Sequence, residues 1–267
     1  MSKQQIRLAE RSPNYWRATF DHPPVNLIGP ETLRELTDLI DRMEAARELR
    51  VVVFESANPD FFLAHWDVTS GSVNKAAKYS DLPPWSDTLA RLSQCGVISI
   101  AALRGCARGA GSEFALACDL RFASRERTVL AQFEAGVGAV PGGGPMARLS
   151  RLVGRGRALE ILLGADDFSG ELAERYGYVN RALPDAELDA FVDTFANRLA
   201  RFDKWALGEI KRIVDVPTLP TDDELALGTK AFFNSVHRPE AQVRVRALID
   251  AGLQQRSDTE LHLGRHL

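Results

Sequence analysis

Residues 97–123 constrain this chain more than any other stretch, because they set two buried strands around one tight turn of small residues. Residues 97–103, Val-Ile-Ser-Ile-Ala-Ala-Leu, form an apolar run short enough for a strand covered on both faces. The turn follows as Arg104-Gly105-Cys106-Ala107-Arg108-Gly109-Ala110-Gly111. Glycine and alanine there let the backbone pass close to another group. Residues 112–118 read as a short helix of good formers, buried on most faces. Asp119 and the apolar residues 120–123 then restart a strand. A helix that begins directly after such a turn points free backbone N–H groups at whatever the turn holds. The turn is therefore either a tight connection with no ligand, or a holder for an anion or for an oxygen that becomes one during reaction.

The 267 residues fit one large domain, or one domain with a smaller extension. A formal net charge of −3 offers no basic field for nucleic acid or for an anionic membrane. Cys95, Cys106 and Cys118 sit among apolar neighbours and read as reduced, core-filling thiols. The first twelve residues, MSKQQIRLAERS, lack the apolar stretch of a signal peptide, and no apolar run reaches membrane-spanning length. A cytoplasmic location is the expectation.

Residues 6–10 and 15–20 alternate loosely around Arg11-Ser12-Pro13-Asn14, which predicts a β-hairpin. Pro30 opens a helix with Leu33, Leu36, Ile40 and Met43 at helical spacing. Residues 51–54 form a buried strand, residues 71–84 a polar, mobile stretch, and residues 85–94 an amphipathic helix. Residues 129–131 are a short strand before a second glycine-rich turn, 136–144. Helices follow at 145–153 and 157–163, and Ser169 is placed to cap a helix over 170–176. Tyr178-Val179-Asn180 begins the last strand, and everything after residue 185 reads as helix. The recurring strand, strand, helix rhythm suggests a structural repeat. The domain expectation is a core over residues 1–200 and a helical region over 201–267.

Two acids stand out. Glu113 lies one turn into the helix that starts at the small-residue turn, and Glu134 lies at the mouth of the second glycine-rich turn. An acid on a mostly apolar helix is costly unless it is paired or used. Glu113 is otherwise a carboxylate satisfied by the helix N-terminus, and Glu134 a solvated loop acid.

The order of these segments resembles the crotonase superfamily, the enoyl-CoA hydratase/isomerase group. The matching pieces are Pro24-Val25-Asn26-Leu27, then Phe61-Phe62-Leu63-Ala64-His65-Trp66-Asp67-Val68, then residues 100–123 with Glu113. Gln132-Phe133-Glu134 leads on to Val140-Pro141-Gly142-Gly143-Gly144, and Gly177-Tyr178-Val179-Asn180 ends the match. About three quarters of the chain is covered. In the helical tail only Ala231-Phe232-Phe233 looks familiar.

The resemblance implies an α/β fold, a crotonase-like spiral of repeated ββα units with a C-terminal α-helical oligomerisation region. It implies an acyl-CoA thioester substrate, no separate cofactor beyond the coenzyme A of that substrate, and a homotrimer or homohexamer. It gives an oxyanion hole made by the backbone N–H groups of Trp66 and Ala110, and catalytic acids at Glu113 and Glu134. Ala64, His65, Asp67, Gly109 and Gly142 fall at substrate-binding positions, with no metal. Two acids suit syn addition of water to a 2-enoyl thioester, one taking a proton from water and the other giving one to the α-carbon. A double-bond isomerase, which in this family keeps only the later acid, is the alternative. A crotonase-fold module that binds acyl-CoA or a protein with little turnover is another. His65 replaces the family's glycine, as a structural substitute, a wall of the acyl pocket or a new acid–base group. Ala110 replaces a middle glycine, where only the N–H is needed. Arg104 and Arg108 flank the turn as candidate cations for the phosphates of coenzyme A.

Overall fold

A computed structural model describes residues 4–70 and 80–267. The expected hairpin is present: β1 (Ile6–Ser12) and β2 (Tyr15–Phe20) pair antiparallel, with a bulge before the turn. Pro30 occupies the first turn of α1 (Pro30–Ala45), whose Leu33, Leu36, Leu39, Ile40 and Met43 are buried. Each such side chain contributes about 1.5–3 kcal/mol by leaving water.

Three turns of chain then repeat one plan. β3 (Val51–Ser56) and β4 (Phe61–Leu63) are followed by α2 (Pro84–Gln94). β5 (Ile98–Leu103) and β6 (Cys106–Arg108) are followed by α3 (Ala110–Ala117). β7 (Leu120–Ser124) and β8 (Val129–Ala131) lead, through a short 3-10 helix at Glu134–Val137, to α4 (Pro145–Val153). The first strand of each pair joins a larger sheet and the second a smaller one. The larger sheet runs β1-β2-β3-β5-β7-β10 and the smaller β4-β6-β8-β9. The matching strands of successive turns pair in parallel, so the chain winds as a spiral of ββα units. Helix α5 (Arg155–Gly164), β9 (Phe168–Ser169), α6 (Gly170–Tyr176) and β10 (Arg181–Leu183) close it.

The interior is apolar and aromatic. Phe114 of α3 meets Phe20 and Phe54 edge-on at ring separations of 5.3 and 5.1 Å. Ser169 caps α6 as expected, its side chain accepting from Leu172 N–H. The last strand starts later than the sequence suggests, at Arg181. Gly177 closes α6 at φ +79°, and the N–H groups of Tyr178 and Val179 turn back to Ala173 O. Of the polar stretch expected over 71–84, residues 71–79 lie outside the described residues.

Helix α7 (Asp185–Leu199) covers the outer face of the larger sheet, with Leu188, Val192 and Ala196 against Val51, Val53 and Ile100. Helices α8 (Lys204–Thr218), α9 (Asp222–Val236), α10 (Pro239–Asp250) and the short α11 (Asp258–Leu261) follow. Among the described residues no helix is long and apolar enough to cross a membrane.

Candidate active site

The end of β4 and the start of α3 lie side by side because Arg108 N–H donates to Ala64 O at 2.9 Å. Beyond Ala64 the chain runs extended along residues 26–28: Ala64 N–H donates to Asn26 O, Ile28 N–H to His65 O and Asp67 N–H to Ile28 O. In extended backbone successive N–H groups point to opposite sides. His65 O faces Ile28, and Trp66 N–H, on the opposite edge of the same trans peptide, faces away from it. Ala110 opens α3, so its N–H has no partner within the helix. Among the described residues neither N–H donates to a protein acceptor. Two free donors, each two residues past a directly bonded pair, thus flank the same turn.

Glu113 and Glu134 complete the site, and both are buried. Glu113 sits on the first turn of α3, its N–H bonded to Gly109 O. Its Oε2 accepts the indole N–H of Trp85 at 2.8 Å and its Oε1 accepts Gly143 N–H at 2.6 Å. Glu134 begins the 3-10 helix, and its Oε2 has no hydrogen-bond partner among the described residues. Burial raises the Glu113 carboxyl above its ordinary value, opposed by Gly143 N–H and the Trp85 indole. Burial, and then the charge of Glu113, pushes Glu134 up to about 8. Two buried carboxyls that feel each other's charge cannot easily both ionise. The donors on Glu113 favour its anion, and burial beside that charge favours the protonated form of Glu134.

Two glycines are required by this packing. At Gly109, φ is +48° and a Cβ would come within 2.8 Å of Glu134 Oε1 and of the Phe133 ring. At Gly143 a Cβ would overlap Glu113 Oε2 and come within 2.8 Å of Trp85 Nε1. The neighbouring Gly142 is fixed by its carbonyl, which accepts from Thr229 of α9 at 2.8 Å. The Trp66 and Trp85 rings meet edge-on at 5.8 Å.

Two other expected residues, His65 and Asp67, are bonded within the protein. His65 is 1% exposed and its ring is committed to Trp66 O and to Glu260. Asp67 accepts from Thr69, Ser70 and Gln254, which hold its carboxyl below the ordinary range despite some burial. The expectation for the two turn arginines is corrected. Arg108 is fully buried against Asp167 and the carbonyls of Glu260 and Leu261. Arg104 bonds Asp185 and Asp189 of α7. Neither guanidinium is a free rim cation.

Sequence reading missed Trp85, Gln254 and Glu260. Trp85 read only as a helix start. Ser257-x-x-Glu260 carries a capping pattern, and Ser257 does accept Glu260 N–H, but nothing local says where the Glu260 carboxylate goes. Among the described residues no group of three or more His, Cys, Asp and Glu is placed to hold a metal ion.

The family model for enoyl-CoA hydratase/isomerase matches residues 12–242. The short-chain-enoyl-CoA hydratase of Clostridium acetobutylicum is 32% identical over 178 residues, 66% of this chain and 67% of that protein. The crystal structure of a candidate enoyl-CoA hydratase from Streptomyces avermitilis superimposes with a TM-score of 0.94 at 44% identity, covering 99% of this chain and 96% of that one. Pseudomonas aeruginosa DspI is similar with a TM-score of 0.73 at 26% identity, over 93% and 97% of the two chains.

Proposed function

The chain belongs to the enoyl-CoA hydratase/isomerase family, and we propose that within it the protein hydrates a 2-enoyl-CoA thioester. The observation that carries this reading is the unequal treatment of the two buried acids. Glu113 holds two N–H donors, whereas Oε2 of Glu134 holds none. The first is the base, and the second, pushed up to about 8, is the acid.

In this reading the thioester carbonyl lies between Trp66 N–H and Ala110 N–H. Glu113 takes a proton from water as the water oxygen bonds to the β-carbon. The electron pair of the double bond moves towards the carbonyl oxygen, where the two N–H groups stabilise the enolate. Losing one such donor typically costs about 3 kcal/mol of barrier. Glu134 then delivers its proton to the α-carbon from the same side, giving syn addition. Coenzyme A enters as part of the substrate and no further cofactor is needed.

A second reading is double-bond isomerisation by Glu134 alone. It draws on the fact that both Glu113 oxygens already have protein donors. A panel of 2-enoyl and 3-enoyl thioesters, read by product mass, separates the two. Gain of one water supports hydration, and a rearranged product of unchanged mass supports isomerisation. Binding without any product would overturn both.

A further inference from the structure

The loop that carries Trp66 is held from the far end of the sequence. Ile28 N–H bonds His65 O and so fixes the peptide plane that bears Trp66 N–H. The next plane is fixed by His65 Nδ1, 2.7 Å from Trp66 O. The plane after it is fixed by Val68 N–H, which donates to Gln254 Oε1 at 2.8 Å. Gln254 Nε2 also donates to Asp67 Oδ1 at 2.8 Å. The other His65 nitrogen, Nε2, lies 3.2 Å from Glu260 Oε2, which also accepts Gln254 N–H at 2.7 Å. Both members of the His65–Glu260 pair are buried, at 1% and 0% exposure.

Glu260 Oε2 carries both of these contacts, and its Oε1 has no hydrogen-bond partner among the described residues. Trp66 O only accepts, so Nδ1 is a donor. Nε2 then faces the Glu260 carboxylate. Burial alone would raise the Glu260 carboxyl, but His65, Gln254 N–H and Arg108 hold it below its ordinary value.

The same segment also reaches the other donor. Arg108 stands two residues before Ala110. Its guanidinium bonds Glu260 O at 2.8 Å and Leu261 O at 3.0 Å while pairing with Asp167 at 2.7 and 2.8 Å. One stretch, residues 254–261, therefore grips both backbone elements that present a free N–H.

We propose that residues 254–261 form a brace that sets the two N–H donors relative to each other, and that His65 and Glu260 are positioning residues for the Trp66 N–H. A glycine at position 65 could make neither side-chain bond, so the brace accounts for histidine at that position. Its catalytic consequence rests on the hydratase reading, but its structural claim does not.

The test uses the full chain with Glu260→Gln, Glu260→Ala, His65→Gly and the double change His65→Gly/Glu260→Ala. Hydration of but-2-enoyl-CoA gives kcat and KM. Infrared spectra of bound butanoyl-CoA carrying a 13C carbonyl report how strongly the donors polarise an unreactive thioester. Glu260→Ala should lower kcat about 10- to 100-fold, the scale of a small misplacement of reacting groups, with KM within about threefold. The bound carbonyl band should move back towards its free position. Glu260→Gln keeps an acceptor and should recover part of both. The double change should cost little beyond the worse single one, because both residues act through one contact.

Unchanged kcat and carbonyl band with only a lower melting temperature would overturn the proposal, as would a rise in KM alone. Should the parent chain bind butanoyl-CoA with a shifted carbonyl but hydrate no enoyl thioester, the hydratase reading fails. The variants' carbonyl bands would still decide the brace. No carbonyl shift in the parent protein would remove both.

Discussion

The Trp85 indole N–H donates to Glu113 Oε2 at 2.8 Å, opposite Gly143 N–H on Oε1 of the same carboxylate. The indole comes from α2 and the backbone donor from the glycine-rich turn before α4, so two separate turns of the spiral meet on one acid. Glu134, one turn of chain further on, has an oxygen that receives nothing. Local hydrogen bonding, rather than residue type, therefore sets two chemically identical side chains apart.

Trp85→Phe keeps the ring and removes the donor. A hydrogen bond to a charged group is worth about 1.5–3 kcal/mol, so hydration at neutral pH should fall about tenfold or more. The base becomes harder to ionise, and the rising limb of the kcat/KM profile should move to higher pH. A profile that keeps its position would show that the indole does not tune Glu113.

Glu134 links activity and stability to pH in a definite direction. Its folded value of about 8 lies above its ordinary 4.5. Between these values the folded chain holds a proton that the unfolded chain has lost. Its contribution is fully present below about 4.5, and is lost as pH rises through about 8. The slope is about 1.4 kcal/mol per pH unit for one proton. Glu134→Gln removes the ionisation, so its melting temperature should gain on the parent's between pH ~5 and pH ~9. Hydration by the parent should also fade above about 8 as the acid loses its proton. A melting difference independent of pH would show that Glu134 ionises normally in the folded protein.

Much of this arrangement could be read from the sequence because it is local. The apolar strand, the small-residue turn and the helix behind it place the Ala110 N–H and Glu113 within a few residues of each other. Partners brought by tertiary packing could not be read. His65 meets Glu260 across most of the chain, and Trp85 turns its indole to an acid on another helix. Arg108 looked like a rim cation because burying a guanidinium is costly. Asp167 and two main-chain carbonyls offset that cost. Leu225 of α9 packs beneath Gly144 and Phe232 lies against Gly142, contacts that nothing local in the tail announces.

Gly143→Ala tests whether the base is placed by space as well as by hydrogen bonds. The added methyl would overlap Glu113 Oε2 and crowd the Trp85 indole, so the carboxylate must move. Turnover should drop about 100-fold or more, since small displacements of reacting groups cost that much. Circular dichroism should be unchanged. Near-parental activity would mean that Glu113 tolerates relocation and is not the base.

The two glutamates should also fail together. Glu113→Gln and Glu134→Gln should each lower hydration by about 100-fold or more, the usual contribution of a positioned acid or base. The double change should cost far less than the product of the two, because both groups serve one water and one α-carbon. An isomerase would instead tolerate Glu113→Gln. Single-turnover assays with 2-enoyl and 3-enoyl thioesters distinguish these outcomes.

Self-association is expected through the helical tail. Trp205, Ile213 and Val216 of α8 are 76%, 57% and 77% exposed, and their spacing brings them towards one side of the helix. Leu227 of α9 and Val243 of α10 are 71% and 69% exposed. Large apolar side chains left in water on a helical tail are what a second and third copy of this chain would bury, at about 1.5–3 kcal/mol each. Light scattering at micromolar concentration should give a multiple of the 29.4 kDa chain, with a trimer or a pair of trimers expected. Trp205→Glu places a charge in that surface and should shift the mass towards one chain while leaving the far-ultraviolet spectrum intact. A parent protein that stays monomeric at tens of micromolar would remove the expectation, and an unchanged oligomer in Trp205→Glu would move the interface away from α8.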